Sequence, residues 1–281
     1  ALLAGSPGDL AEGVPFAVTL LLILGCHEMG HFLMARRYGV RASLPYFIPF
    51  PPQWGNIFGT MGAVIRMRSP VPSRKALAEI GAAGPLAGLL VALPLLAAGL
   101  ALSEVQGSDF QPGGIIGEQG LIALFARALY GEPVAVRGVL VEGNSLLYLL
   151  AKRLVVGEIG PGRDVFLHPV ALAAWFGLFV TSLNLCPAGQ LDGGHVAYAL
   201  LGRRAEVVGR ATFWALLALS LVSWPGWLLW ALVVRLIGLS HPPVSEDLSP
   251  APAPPPGTSA VGWTALALFA LTFTPVPMQV F

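Results

Sequence analysis

The chain has 281 residues, 55% of them hydrophobic and only 11% charged, with a mean hydropathy of +0.73. Soluble globular domains carry about 25% charged residues, so this composition excludes an ordinary soluble enzyme and indicates an integral membrane protein. Sixteen basic and fifteen acidic side chains leave a net charge of +1, and nothing in their distribution points to a nucleic-acid partner.

The first apolar run, residues 14–35, would span about 33 Å as a helix, enough for a hydrocarbon core. Within it stands His27-Glu28-Met29-Gly30-His31. Residues four apart share a helix face, so His27 and His31 can offer two imidazoles to one metal ion. Glu28, one step round, can act as general base on a water at that ion, the arrangement of HExxH metalloproteases. Two histidines and a glutamate are costly in a membrane span unless paired or metal-bound. The simpler alternative is two histidines bonded to backbone carbonyls beside a protonated Glu28. The run carries HExxH and is therefore not a signal peptide, and a start at Ala1 rather than Met is expected of a fragment.

Arg36, Arg37 and Arg41 close the first span, and residues 40–72, rich in Pro, Gly and aromatics, read as non-helical. Within them, residues 56–68 alternate, with Ile57, Met61, Ala63, Ile65 and Met67 on one face, which predicts a strand or hairpin. A second helix is expected from the N-cap Ser73 to about Ala101. Its Gly81-Ala82-Ala83-Gly84-Pro85-Leu86-Ala87-Gly88 stretch permits close packing, and Pro85 should kink it. Residues 103–167, with seven acidic and five basic side chains, form the one sizeable hydrophilic region. They predict surface-associated amphipathic helices near 121–130 and 145–155 rather than a separate domain. A third span covers 168–186. A short helix with Arg203, Arg204 and Arg210 follows Gly194. Residues 211–239 are apolar but broken at Trp224-Pro225-Gly226, giving one kinked span or two short ones. A Pro-rich loop at 240–259 precedes a last span at 260–273. The expected architecture is thus an all-α polytopic membrane protein with about six transmembrane helices and a small membrane-associated β-hairpin after the first. All 281 residues read as one domain with a core at 14–239. Basic residues of the first loop, with Arg203, Arg204 and Arg210, put those loops in the cytoplasm and HExxH near the inner surface.

A catalytic zinc takes three protein ligands and leaves a position for water. Near the inner end of the third span stands Asn184-Leu185-Cys186-Pro187-Ala188-Gly189-Gln190-Leu191-Asp192-Gly193-Gly194-His195. Pro187 should open the helix, and the glycines could let the chain turn Asp192 toward His27 and His31. Asn184 could donate to a scissile carbonyl or to the developing oxyanion. Blander roles are interhelical hydrogen bonding for Asn184 and helix capping for Asp192. His195 reads as a structural histidine or as an indirect support of the site, and His168 and His241 as interfacial. Trp224, Trp227 and Trp230 suit an aromatic belt or packing. Cys26 and Cys186 make no disulfide framework and read as packing residues.

With HExxH in one span and N-x2-P-x4-D-G in a later one, the chain resembles the site-2 protease family of intramembrane zinc metalloproteases over roughly residues 14–239. Gly84-Pro85 and Gly59-Thr60-Met61-Gly62 also look like family features, and the Leu191-Asp192-Gly193-Gly194-His195 string is most similar to the bacterial and plastid-type branch. The resemblance implies zinc bound by His27, His31 and Asp192, Glu28 activating water, and hydrolysis of a peptide bond in a transmembrane protein substrate. It implies a bacterial cytoplasmic membrane, or a plastid one. The PDZ and CBS modules of many members are not evident. Strand 56–68, with Gly59, Thr60, Met61 and Gly62, is a candidate edge for pairing with an unwound substrate. A membrane protease of the CAAX-processing zinc type would take a later Glu as third ligand, and the apolar runs at 168–186, 211–239 and 260–273 hold none. A non-proteolytic metal binder or transporter would have no need of Glu28 as a base.

Overall fold

The computed structural model describes residues 7–49, 60–65, 67–107, 120–130, 140–249 and 259–280. It is mostly helical. Helix α1 (Pro7–Arg37) carries HExxH in its last third and ends on the basic pair Arg36 and Arg37, which suits the negative end of the helix dipole. Gly39 then takes φ +69°. The Val40 N–H donates to the Ala35 carbonyl at 2.9 Å and the Gly39 N–H to Arg36 at 3.0 Å. This is a Schellman cap, sealed by packing of Val40, Ala35 and Ile80.

A hairpin follows. Strand β1 (Tyr46–Pro49) pairs antiparallel with β2 (Thr60–Val64), and an isolated bridge joins Ala42 to Met67. The residues between the strands, and Gly59 with them, lie outside the described residues.

Helix α2 (Arg74–Ala101) starts where Ser73 Oγ accepts from the Ala76 N–H, and it continues through Pro85 and Pro94. It is the hub, touching α1, α5 (Pro169–Asn184), α6 (Asp192–Leu201) and α9 (Ala260–Thr272). Small residues make this possible. A Cβ at Gly99 would collide with the Ala171 backbone, and a side chain on Gly30 of α1 would strike the Ala83 carbonyl.

The hydrophilic insert is bolted to this bundle. Strands β3 (Glu104–Gly107) and β5 (Arg163–Phe166) pair antiparallel, as do β4 (Leu140–Glu142) and β6 (Met278–Val280). Helices α3 (Leu121–Tyr130) and α4 (Leu146–Val155) fall where amphipathic helices are expected. Tyr148 of α4 is fully buried and donates to Glu142 at 2.9 Å, and Trp175 of α5 donates to the Gly143 carbonyl at 2.8 Å.

Helix α6 ends at Gly202, φ +58°, and a single 3-10 turn leads to α7 (Ala205–Val222). The apolar stretch 211–239 resolves into α7 and a separate α8 (Gly226–Ile237), divided around Pro225. Trp227 packs inside rather than at an interface, 1% exposed, with its indole N–H on the Pro275 carbonyl. Among the described residues, three helical stretches are long and apolar enough to cross a membrane: Gly13–Arg37, Arg74–Ala101 and Asp192–Val222. The helices Pro169–Asn184, Gly226–Ile237 and Ala260–Thr272 are apolar but shorter.

Candidate active site

Helices α1 and α6 bring three side chains to one point. His27 Nε2 and His31 Nε2 each lie 3.2 Å from Asp192 Oδ2, and 3.2 Å from one another. His31 Nδ1 donates to the Ile80 carbonyl at 2.7 Å, so in the neutral ring Nε2 is a bare lone pair. That lone pair faces the Asp192 carboxylate and a second imidazole. With His27 also presenting a bare Nε2, three acceptors converge here, and they repel one another unless a cation lies among them. Zinc with nitrogen and oxygen ligands at about 2.0–2.1 Å in tetrahedral geometry requires ligand atoms roughly 3.3 Å apart. The donor set and its spacing therefore fit zinc, and among the described residues no other His, Cys, Asp and Glu cluster does so.

The backbone around these residues is shaped for close approach. The His31 ring lies where a Cβ on Gly84 would stand, and a Cβ on Gly88 would come within 3.3 Å of His27. One turn earlier, Gly81 faces the Asp192 carbonyl and the His195 Cβ. After α5 ends at Asn184, the chain makes a tight turn through Gly189, φ +56°. Side chains at Gly193 and Gly194 would run into the Leu185 and Gly189 carbonyls. This compact turn sets Asp192 as the first residue of α6. Its N-cap is Leu191, so the carboxylate does not cap its own helix and points at the histidines.

A cavity of about 380 Å³ opens beside the three, lined also by Glu28, Asn184, Gln190 and His195. Asn184 Nδ2 comes within 3.5 Å of His27 Nε2. Water and a carbonyl brought into this space would meet a carboxylate, an amide donor and a cation site together.

The peptidase family M50 model matches residues 15–222, well over half of the chain. The chain belongs to peptidase family M50. The probable zinc metalloprotease EGY2, chloroplastic, of Arabidopsis thaliana is 30% identical over 268 residues, which are 95% of this chain and 43% of that protein. The probable zinc metalloprotease EGY1, chloroplastic, of the same plant is 31% identical over 267 residues, 94% of this chain and 43% of that protein. The probable zinc metalloprotease EGY3, chloroplastic, of Oryza sativa subsp. japonica is 32% identical over 250 residues, 86% and 39% respectively. The chain spans less than half the length of these relatives, and no solved structure gives a significant match.

In this M50 chain, five residues singled out by sequence meet at the cavity: His27, Glu28, His31, Asn184 and Asp192. Of the hairpin group, Thr60, Met61 and Gly62 lie on β2, and Ile65 and Met67 just beyond it line the cavity. Their place on the alternating strand was visible, their approach to the cavity was not. Gln190 also lines the cavity; its position two residues before Asp192 was the available signal. The Ile80 carbonyl carries no side-chain signature at all. His168 caps α5, its Nδ1 accepting from the Val170 N–H at 3.3 Å, while His241 pairs with His195 rather than standing alone at an interface.

Proposed function

We propose that this chain is the catalytic part of a zinc-dependent intramembrane endopeptidase that hydrolyses a peptide bond within or near a transmembrane segment of a membrane-protein substrate. The observation that carries the reading is the three-sided set of His27, His31 and Asp192, at 3.2 Å on every side, next to Glu28 in one cavity. Membership of family M50 and the zinc metalloprotease names of the relatives support it.

His27, His31 and Asp192 would hold the zinc. When bound, zinc supplies Lewis acidity, lowering the pKa of water toward about 7 and polarising the scissile carbonyl. Glu28 takes a proton from the attacking water and returns it to the leaving amine. Asn184 donates its amide N–H to the carbonyl oxygen as charge develops there. The Ile80 carbonyl holds His31 in the tautomer that turns Nε2 inward. A peptide bond in a helix is shielded by its own hydrogen bonds, so the substrate unwinds locally. Strand β2, with Thr60, Met61 and Gly62, offers an edge to the extended segment.

The whole chain serves as one membrane-embedded domain in this reading, with the three shorter apolar helices completing six spans. Arg36, Arg37, Arg203, Arg204 and Arg210 favour an inner orientation for the site, in a bacterial cytoplasmic membrane or its plastid counterpart. His31 lies six residues from Arg37, so it would sit about 9 Å below that basic end.

The test uses the full chain in lipid nanodiscs and a panel of single-span membrane proteins. One zinc per chain is expected, and Glu28→Gln should keep it while cleavage falls at least about 100-fold. Undiminished cleavage by Glu28→Gln would overturn the mechanism.

A further inference from the structure

The hydrolysis described above makes no use of one histidine pair. His195 Nδ1 and His241 Nε2 are 2.6 Å apart with their rings edge-on at 81°. His241 Nδ1 lies 2.6 Å from the Pro242 carbonyl. A carbonyl only accepts, so Nδ1 of His241 carries a proton. In the neutral ring its Nε2 is then bare, and His195 Nδ1 must be the donor to it. A neutral His195 with its proton on Nδ1 has a bare Nε2. One backbone carbonyl thus fixes the tautomer of two rings in series.

The loop that presents His241 is anchored. Its ring stacks on Tyr198 at 4.6 Å, Tyr198 donates to Asp247 at 2.7 Å, and Asp247 pairs with Arg74 at 2.7 Å. Burial also holds the pKa of His241 below its ordinary value, which keeps the ring neutral.

His195 stands one helical turn after Asp192 and lines the same cavity. No hydrogen bond to its Nε2 is formed among the described residues. In this tautomer Nε2 is a neutral acceptor on a residue that lines the cavity. A substrate segment pulled out of helix brings N–H groups that each need an acceptor where bulk water is scarce. Asp192 is committed to the cation site and Glu28 to the proton of water, while His195 is free to take such a group.

We propose that His195 Nε2 accepts a backbone N–H of the unwound substrate beside the hydrolytic site, with His241 as the positioning residue that fixes its tautomer. This deepens the protease reading and rests on it.

The experiment takes a single-span substrate that the full chain cleaves in nanodiscs, with Glu28→Gln as the control for the protease reading. His195→Leu should raise KM, measured as mole fraction of lipid, by roughly three- to tenfold, the worth of one neutral hydrogen bond. Zinc content and kcat should stay near those of the parent. His195→Gln, whose side-chain carbonyl is again an acceptor, should recover most of the loss. Histidine ¹⁵N NMR of the zinc-loaded parent should show His195 protonated at Nδ1, and His241→Phe should abolish that preference. An unchanged KM in His195→Leu, with Glu28→Gln inactive, overturns the proposal but leaves the protease reading intact. A His195 ring protonated at Nε2 instead also overturns it, and that readout holds even if a variant fails to fold.

Discussion

The imidazole of His31 lies directly over Gly84 of the neighbouring helix, in the space that any side chain there would need. The second HExxH histidine can face Asp192 only because α2 offers bare backbone at this level. Gly84→Ala should therefore push the ring off its position and drop zinc content well below one per chain, with circular dichroism still reporting the helical fold. Gly88→Ala is a graded control. Its new Cβ would meet His27 at 3.3–3.4 Å, a distance that a small shift relieves, so most of the zinc should be retained. Equal zinc loss in both variants would show that the contact with His31 is not the decisive one.

Metal removal should leave the chain folded. Small zinc domains unfold without their ion because the metal supplies the folding energy. Here the ligand-bearing helices are held by packing: α2 lies against α1, α5 and α6, and Leu96, Leu100 and Trp175 are at most 1% exposed between them. Chelation should abolish cleavage and lower the melting temperature while leaving helical content within a few per cent, and added zinc should restore activity. Asp192→Asn should weaken zinc binding by at least about 100-fold, since a neutral amide replaces the one anionic ligand.

The loop after α8 should give the protein a two-stage pH response. Asp247 accepts from Arg74 Nε at 2.8 Å, from Tyr198 at 2.7 Å and from the Val244 N–H at 3.2 Å, and these bonds hold its pKa below the usual carboxylate range. A carboxylate with a depressed folded pKa gives its full stabilisation above about 3.9 and loses it as pH falls through the folded value. His241 also has a lowered pKa, through burial. The unfolded chain takes up that proton first, so stability declines as pH drops below about 6.5 toward the folded value. Thermal melts across pH 3–8 should show His241→Phe flattening the slope below pH 6.5. Asp247→Asn should lose about 2 kcal/mol at neutral pH, with the deficit shrinking only below about pH 4. A neutral-pH deficit indistinguishable from zero would mean that the clamp adds nothing.

Much of this site was legible because its chemistry is local in sequence. His27 and His31 share a helix face by spacing alone, and Ser73, Pro187 and the glycines around Asp192 mark where helices start and stop. The carboxylate's commitment to the histidines rather than to its own helix depends on Leu191 serving as the N-cap. No pattern announces that substitution. The His195–His241 pair was illegible for another reason: its partners are 46 residues apart and meet through loop packing. The break at Pro225 is visible in the sequence, but the inward turn of Trp227 to the Pro275 carbonyl is a contact with the far end of the chain.

Asn184 tests whether the amide beside the histidines acts on the reaction or only on the fold. It is the last residue of α5, and its Nδ2 lies 3.5 Å from His27 Nε2, too far for a strong bond. A purely structural amide would be expected to form better hydrogen bonds than this. A donor reserved for a developing oxyanion gains its full strength only in the transition state, so its loss should appear in kcat. Asn184→Ala should lower kcat by about 10²–10³-fold, with KM changed by less than threefold and zinc retained at one per chain. Asn184→Asp should be at least as damaging, because a carboxylate cannot donate and would repel the developing charge. If Asn184→Ala instead raised KM at constant kcat, the amide would be a binding contact, and if it only lowered the melting temperature, it would belong to the packing of α5 against α1.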